Sequence, residues 1–260
     1  MSEKINFEMV LNTTVGLPMV KIDRTEFLKS ALTPYFDEDT VNKAILVNPA
    51  SAGITVDEIK KIADSCIKYE TTKVTTLSFM AGIPGGIAMI GTVSADLIQY
   101  LGHILRVLQK LIYLYGWQEL FEEDGKMDDE TANLLTLFVG VMFGVNGAAN
   151  AILKISASAA KTIAQKALTK GTIYPIVKKV ATALGVKMTK DVFAKSVSKV
   201  IPIVGGVASG GFTYVTYKPM AIKLRNHLSK LKFSDVEFYR NECLNREDAI
   251  IVDDYVETES

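Results

Sequence analysis

The chain has 260 residues, of which 48% are hydrophobic and 22% are charged, and its formal net charge at pH 7 is zero. This length suffices for one large domain or two small ones, and the composition excludes a protein made wholly of membrane spans. Cys66 and Cys243 lie far apart, and the first residues lack a basic-then-apolar signal, so we expect no disulfide framework and a cytoplasmic location.

Charge is distributed unevenly along the chain. Residues 1–153 carry 12 Lys and Arg against 19 Asp and Glu, a net charge of −7. Residues 154–232 carry 15 against one acid, a net charge of +14, and residues 233–260 carry 2 against 9, again −7. A basic block between acidic flanks indicates an anionic partner surface, or charges that neutralise one another within the fold.

Residues 1–51 are predicted to form a subdomain of short helices, with pieces such as RTEFLKSAL and EDTVNKAIL between prolines. A longer helix follows in TVDEIKKIADSCIKYE, where Thr55 and Glu58 have the spacing of a capping box. Its apolar residues recur at helical spacing and its lysines lie opposite them, which predicts an amphipathic helix.

The next segment, residues 74–95, contains no charged residue but is interrupted by Pro84, Gly85 and Gly86. Each half has about ten residues and is too short to cross a bilayer, and a break in mid-bilayer would expose unsatisfied backbone groups. The sequence therefore predicts a helical hairpin with its turn at the glycines. Its second arm is a helix from about Ser94 to Tyr115, ended by Gly116.

A polar stripe runs along this second arm. The spacing of 3, 4, 3 and 4 residues places its members on one helix face: Asp96, Gln99, His103, Arg106 and Lys110. One interpretation is the solvated face of an amphipathic helix; the other is a buried or groove-lining polar seam that binds a ligand. Asp96 and Arg106 are separated by about 15 Å along the helix, so a closed network needs partners from other segments.

An uncharged helix is predicted over Thr131–Leu153, capped by Asp128 or Asp129. It is long enough to span a membrane, but its glycines and asparagines make it equally a buried core helix. A later helix, IYPIVKKVATAL, is expected to stop at Gly185. A second apolar run, VIPIVGGVASGGFTYVTY, contains another predicted turn at Pro202, Gly205 and Gly206.

The basic block is rich in lysine but contains one arginine and few aromatic residues, so we expect no nucleic acid partner. Lysine-rich amphipathic helices beside apolar ones suit an anionic membrane surface, although a solvated face offset by the acidic segments is the alternative. The candidate membrane-surface residues are Lys154, Lys161, Lys170, Lys178 and Lys179.

Motifs for catalysis or metal binding are missing from the sequence. Its two histidines and unpaired cysteines make a metal site improbable, and neither G-x-S-x-G nor H-E-x-x-H occurs. Asp96, His103 and His227 could form a site if their helices met, while two surface histidines are the simpler interpretation. We therefore predict no metal, no cofactor and no catalytic residue.

The order of these features resembles the EcsC family of bacterial proteins. The IPGGIA turn followed by ADLIQYLGHILRVLQKLIYLYGW resembles the family's first signature, and VIPIVGGVASGGFTYVTY resembles its second. The matching parts extend from about Ile59 to Leu228. This resemblance implies a helical, membrane-associated protein with no agreed activity.

Together these observations predict an all-α bundle with Gly/Pro-rich helical hairpins around a small-residue core. Residues 52–232 would form the EcsC-like domain and residues 233–260 an acidic segment. We expect a non-enzymatic protein, peripherally attached to the cytoplasmic membrane face, that binds lipid or a membrane protein through Lys-rich helices and the apolar hairpin. The alternatives are an integral membrane protein, and a soluble ligand-binding bundle or enzyme that uses a cleft around Asp96, His103 and Arg106.

Overall fold

A computed structural model describes residues 7–17, 19–75, 95–121, 127–159, 173–187 and 209–241. Regular structure in these ranges is entirely helical and includes no strand, which confirms the predicted all-α class. The two predicted turns, at Pro84-Gly85-Gly86 and at Pro202 with Gly205-Gly206, lie outside the described residues.

The helices follow one another in a simple order. They are α1 Phe7–Val15, α2 Arg24–Leu32, α3 Glu38–Leu46, α4 Val56–Thr75, α5 Ala95–Leu114, α6 Asp129–Met142, α7 Ala148–Ala159, α8 Tyr174–Lys187 and α9 Ser209–Leu228. A short 3₁₀ turn, Lys232–Ser234, follows α9. The pieces RTEFLKSAL and EDTVNKAIL are α2 and α3.

Side chains at the helix starts satisfy the first backbone amides. The backbone amide of Thr55 donates to Glu58 Oε2 at 2.9 Å and the amide of Glu58 donates to Thr55 Oγ1 at 3.4 Å, which is the predicted capping box of α4. Asp128 accepts from the amide of Thr131 at 2.7 Å and caps α6. Both starts were readable from the sequence because each cap is local.

Helix α5 is the centre of the core. It packs against α1, α2, α4, α6 and α9, and nearly all its side chains from Ile98 onward that the structure describes are buried. One hydrophobic cluster includes Phe7 and Leu11 of α1 and Leu28 of α2 together with the α5 leucines. The predicted N-terminal subdomain and the predicted helical domain thus share their buried apolar surface.

Polar side chains also attach the first helices to the core. The buried Gln109 amide of α5 donates to the carbonyl of Val20 and accepts from the amide of Ile22, both at 2.9 Å. The buried Arg24 guanidinium donates to Trp117 O at 3.0 Å and to carbonyls at the end of α3, those of Ala44, Ile45 and Val47. These bonds satisfy carbonyls that the helix end leaves without intrahelical donors.

The uncharged segment Thr131–Leu153 is two helices, so the prediction of one helix is wrong. Gly144 has a φ of 65° and Gly147 a φ of 90°, and the amide of Val145 turns back to the carbonyl of Gly140 at 2.8 Å. This is the bonding of a Schellman end, which favours glycine because of the left-handed backbone.

Among the described helices, none has both the length and the apolar character that a membrane crossing requires.

The expected stop at Gly185 is also wrong, because α8 continues to Lys187. Leu184 beside it is fully buried, and this packing supports a helical glycine.

Gly140 of α6 allows close packing of helices. A Cβ added at this position would lie 2.5 Å from Val180 Cγ1 and 3.0 Å from Ala148 Cβ. An added Cβ would force Val180 of α8 to shift, so glycine at this position lets α6 lie close to α7 and α8.

Gly116 ends α5, as the sequence predicted, and also admits the returning chain. Its φ is 98°, and the amide of Trp117 bonds to Ile112 O at 3.0 Å in a second Schellman arrangement. A Cβ at Gly116 would lie 2.9 Å from both Cβ and O of Phe233. The Phe233 ring in turn meets the Trp117 ring edge-on, with centroids 5.3 Å apart.

We predict that Gly116→Ala destabilises the fold much more than Gly53→Ala. Both glycines have positive φ, which costs an alanine about 1 kcal/mol. Nothing lies within 4 Å of a Cβ at Gly53, whereas the one at Gly116 meets Phe233. Overpacking should add about 1–3 kcal/mol to the loss in free energy of unfolding at Gly116, measured by urea denaturation. Equal losses would show that the approach of Phe233 does not constrain the fold.

Candidate functional site

The polar stripe of α5 faces the interior over the part that the structure describes. His103 is only 5% exposed, and the side chains of Arg106 and Lys110 are largely covered. The interpretation as a solvated face is therefore wrong for these three residues, because α4 and α9 pack against α5. The side chains of Asp96 and Gln99 lie outside the described part.

The partner of this stripe is Glu70 of α4, whose side chain is 1% exposed. Its Oε1 accepts a hydrogen bond from Lys110 Nζ at 2.5 Å, and its Oε2 lies 3.7 Å from Arg106 Nε. Arg106 also donates to the backbone carbonyl of Met19 between α1 and α2. A carboxylate from another helix thus joins two cations of the stripe.

Sequence reasoning missed Glu70, although a signal for it exists. The buried residues of α4 recur at helical spacing, and Glu70 comes three residues after Ile67, at the next position of that stripe. An acid on the apolar face of an amphipathic helix needs a buried cation as its partner. That rule would have selected Glu70, though not the helix that supplies the cation.

Aromatic rings complete the surroundings of Lys110. Its Nζ lies 5.6 Å from the centroid of the Phe27 ring in α2 and 5.4 Å from that of the Tyr69 ring in α4. Both distances allow a cation–π contribution of about 0.5–1 kcal/mol or more where water is excluded. The cluster of Glu70, Arg106 and Lys110, hereafter the ion-pair cluster, therefore connects α2, α4 and α5.

His103 beside the ion-pair cluster is a weak base. Burial lowers the pKa of its imidazole to about 4, with Glu70 opposing the shift and Arg106 adding to it. The backbone carbonyl of His103 accepts from the hydroxyl of Tyr217 in α9 at 3.1 Å, and burial raises the pKa of that phenol well above its ordinary value. Both side chains are thus neutral near pH 7.

The remaining candidates for acid–base or nucleophilic chemistry are also kept uncharged by burial. The pKa of the Cys66 thiol is raised to about 11, so the nucleophilic thiolate is scarce at neutral pH. Burial and Lys230 lower the pKa of His227, which lies beside the backbone of Ala149 in α7. The two histidines have different neighbours, and the described residues hold no group of three potential metal ligands.

A different surface carries the candidate membrane-binding lysines. Lys154 is exposed on α7, and Lys178 and Lys179 are exposed on α8, while the opposite faces of both helices are buried in the core. Within the described part of the chain, none of the three forms a salt bridge. Lys161 and Lys170 lie outside the described residues.

Apolar side chains are exposed among these lysines. Leu153 precedes Lys154, and Tyr174 lies one helical turn from Lys178, whose Nζ is 4.9 Å from the centroid of its ring. Val186, at the end of α8, is 57% exposed. The sequences of α7 and α8 contain no acidic residue. We call this exposed part of α7 and α8, with its lysines and apolar side chains, the lysine face.

Comparison of the chain with models of protein families, with curated proteins and with solved structures finds no match. The EcsC resemblance accordingly stays a prediction that depends on the two sequence signatures. The geometry separates two candidate sites. The ion-pair cluster is buried and satisfied by its own side chains, and the lysine face is open to solvent.

We predict that Glu70→Gln destabilises the protein by about 3 kcal/mol, since it leaves Arg106 and Lys110 partly buried without a countercharge. The control is Glu237→Gln, the same chemical change at an exposed ion pair. Glu237 also pairs with an arginine, Arg240, but both side chains are 64% exposed, so its loss should cost about 1 kcal/mol or less. Urea unfolding measures both. A loss below 1 kcal/mol for Glu70→Gln would contradict a structural role for the ion-pair cluster.

Proposed function

We propose that this chain is a non-enzymatic helical protein of the EcsC type that attaches peripherally to the cytoplasmic face of a membrane. It binds the anionic lipid surface through the lysine face. The observation that carries the proposal is the combination, on α7 and α8, of exposed lysines, exposed apolar side chains and no acid.

The physical chemistry of a bilayer interface fits this combination. Each lysine near an anionic surface contributes about 1 kcal/mol, and aromatic and aliphatic side chains add apolar area at the boundary between headgroups and acyl chains. Tyr174 suits that boundary because its ring is apolar and its hydroxyl polar. The aliphatic stems of Lys178 and Lys179 can lie along the apolar part while their ammonium groups reach phosphate.

Helix α4 provides an internal comparison. Lys60 and Lys61 are also exposed and adjacent, but Asp57, Glu58 and Asp64 are exposed on the same helix. Their charges offset the lysines. Hydrogen bonds from Thr55 lower the pKa of Glu58, and the charge of Lys61 adds to this shift. Exposed lysines therefore do not by themselves distinguish α7 and α8 from α4. The distinguishing property of α7 and α8 is that their sequences contain no acidic residue.

The alternative of an enzyme or ligand-binding cleft around Asp96, His103 and Arg106 receives less support. Arg106 is engaged with Glu70 and with the Met19 carbonyl, and His103 is buried and neutral. A general base needs a pKa near the working pH and access to a substrate. The contribution of the apolar hairpin over residues 74–95 stays a prediction, since residues 76–94 lie outside the described residues.

We predict that Lys178→Glu with Lys179→Glu weakens binding to phosphatidylglycerol vesicles at low salt by about 30-fold or more. Losing two lysines near the surface removes about 2 kcal/mol, and two new carboxylates add repulsion. Lys60→Glu with Lys61→Glu makes the same change of charge on α4 and should have a small effect.

Flotation with these vesicles, and with neutral phosphatidylcholine vesicles as a second control, measures the affinity. Binding should weaken as salt is raised, because salt screens surface attraction. Equal effects of the two double substitutions would assign the attraction to net charge and overturn the proposed face. A wild-type chain that fails to bind anionic vesicles at low salt would overturn the proposed function itself.

A further inference from the structure

The lysine face has a second candidate occupant within the chain. Residues 242–260 contain seven acidic residues and one basic residue, Arg246. Apolar residues are interspersed with these acids, in the run AIIV at 249–252 and in Tyr255-Val256. This alternation of acidic and apolar side chains complements a face composed of lysines, Leu153, Tyr174 and Val186.

The residues just before this segment are fixed to the fold beside α7. The 3₁₀ turn Lys232–Ser234 packs against α7, and Phe233 lies against Gly116. Val236 is buried, and the hydroxyl of Tyr239 accepts a hydrogen bond from Asn48 Nδ2 at 2.6 Å. The acidic segment therefore starts shortly after an anchored residue, and the 3₁₀ turn that precedes it packs against one of the two helices that carry the lysine face.

The segment is long compared with the helices that carry the lysine face. Nineteen residues can span at most about 60 Å when fully extended. Helix α8 has 14 residues and is about 21 Å long at 1.5 Å per residue. Tethering by a short linker gives an effective concentration on the order of millimolar, so even a weak intramolecular contact can be well populated.

We propose that residues 242–260 bind the lysine face and compete with the anionic membrane for it. The membrane part of this inference rests on the proposed function, whereas the contact within the chain does not. A lysine of this face that binds a lipid phosphate is not available to pair with a carboxylate of the segment. Binding of the segment and binding of the membrane therefore exclude each other. If the segment covers the face nine-tenths of the time, the apparent membrane affinity is lowered about tenfold.

A substituted full-length chain tests the competition. Glu247→Gln, Asp248→Asn, Asp253→Asn and Asp254→Asn remove four negative charges and change no residue of the described helices. We expect about tenfold tighter binding to phosphatidylglycerol vesicles. The control substitutions Asp57→Asn and Glu58→Gln in α4 remove acids remote in sequence from the segment and should leave vesicle affinity within about twofold of wild type.

Carbodiimide cross-linking in the absence of vesicles tests the contact directly, since it joins carboxylates to lysines that touch. Mass spectrometry should find cross-links from the acidic segment to Lys178, Lys179 or Lys154 in the wild-type monomer, and few to Lys60 or Lys61. Addition of phosphatidylglycerol vesicles should reduce them. Their number should not rise with protein concentration, since a rise would indicate a second copy as the occupant and overturn the proposal.

Failure of this inference differs from failure of the proposed function. Anionic vesicles that bind wild type and the four-substitution chain equally, with no cross-links to α7 or α8, would overturn the competition and leave membrane binding standing. Cross-links to these helices in a chain that binds no vesicle would overturn the membrane proposal and support the contact alone.

Discussion

A buried carboxylate imposes the main constraint on this fold. Glu70 is almost completely removed from water, and a charge in that position is stable only with close, well-placed partners. Lys110 and Arg106 supply them from α5, and Arg106 also reaches the connection between α1 and α2. The ion-pair cluster therefore helps to fix the relative position of α4 and α5, which also share the hydrophobic core, and the first helices are attached to the same place. Gln109 adds neutral hydrogen bonds to that connection.

Burial distinguishes the titratable side chains of the core from the lysines of the lysine face. Low exposure holds His103, Tyr217 and Cys66 in their neutral forms, which suits packing better than proton transfer. The lysine face, by contrast, has charges that face solvent. Among the described residues its three lysines form no ion pair. The ammonium groups of such a surface can attract an anion, whether a lipid headgroup or an acidic stretch of the chain.

Much of the fold could be predicted because the signals are local. Caps such as Thr55–Glu58, the glycine end at Gly116 and the stripes of α4 depend on residues within a few positions of one another. The break at Gly144 was missed because a glycine tolerates helix and turn alike, and tertiary contacts decide between them. For the same reason, Gly185 was predicted to end a helix, whereas α8 continues through it to Lys187.

The candidate site was only partly predictable. The stripe on α5 indicated which residues share a face, but one helix carries no information about which other helix covers that face. Glu70 could be identified as an acid in an apolar stripe, yet its pairing with Lys110 and Arg106 is a property of how α4 packs on α5. The exposure of Lys154, Lys178 and Lys179 could be predicted because charge on an exposed face appears directly in the sequence.

Under the proposed function, the membrane meets α7 and α8, and the ion-pair cluster stays inside the fold. Amide hydrogen exchange followed by mass spectrometry, with and without phosphatidylglycerol vesicles at low salt, tests both parts in one measurement. We predict slower exchange on vesicles in Ala148–Ala159 and Tyr174–Lys187, and unchanged exchange in Val56–Thr75 of α4. Slower exchange in α4 with no change in α7 and α8 would contradict this prediction.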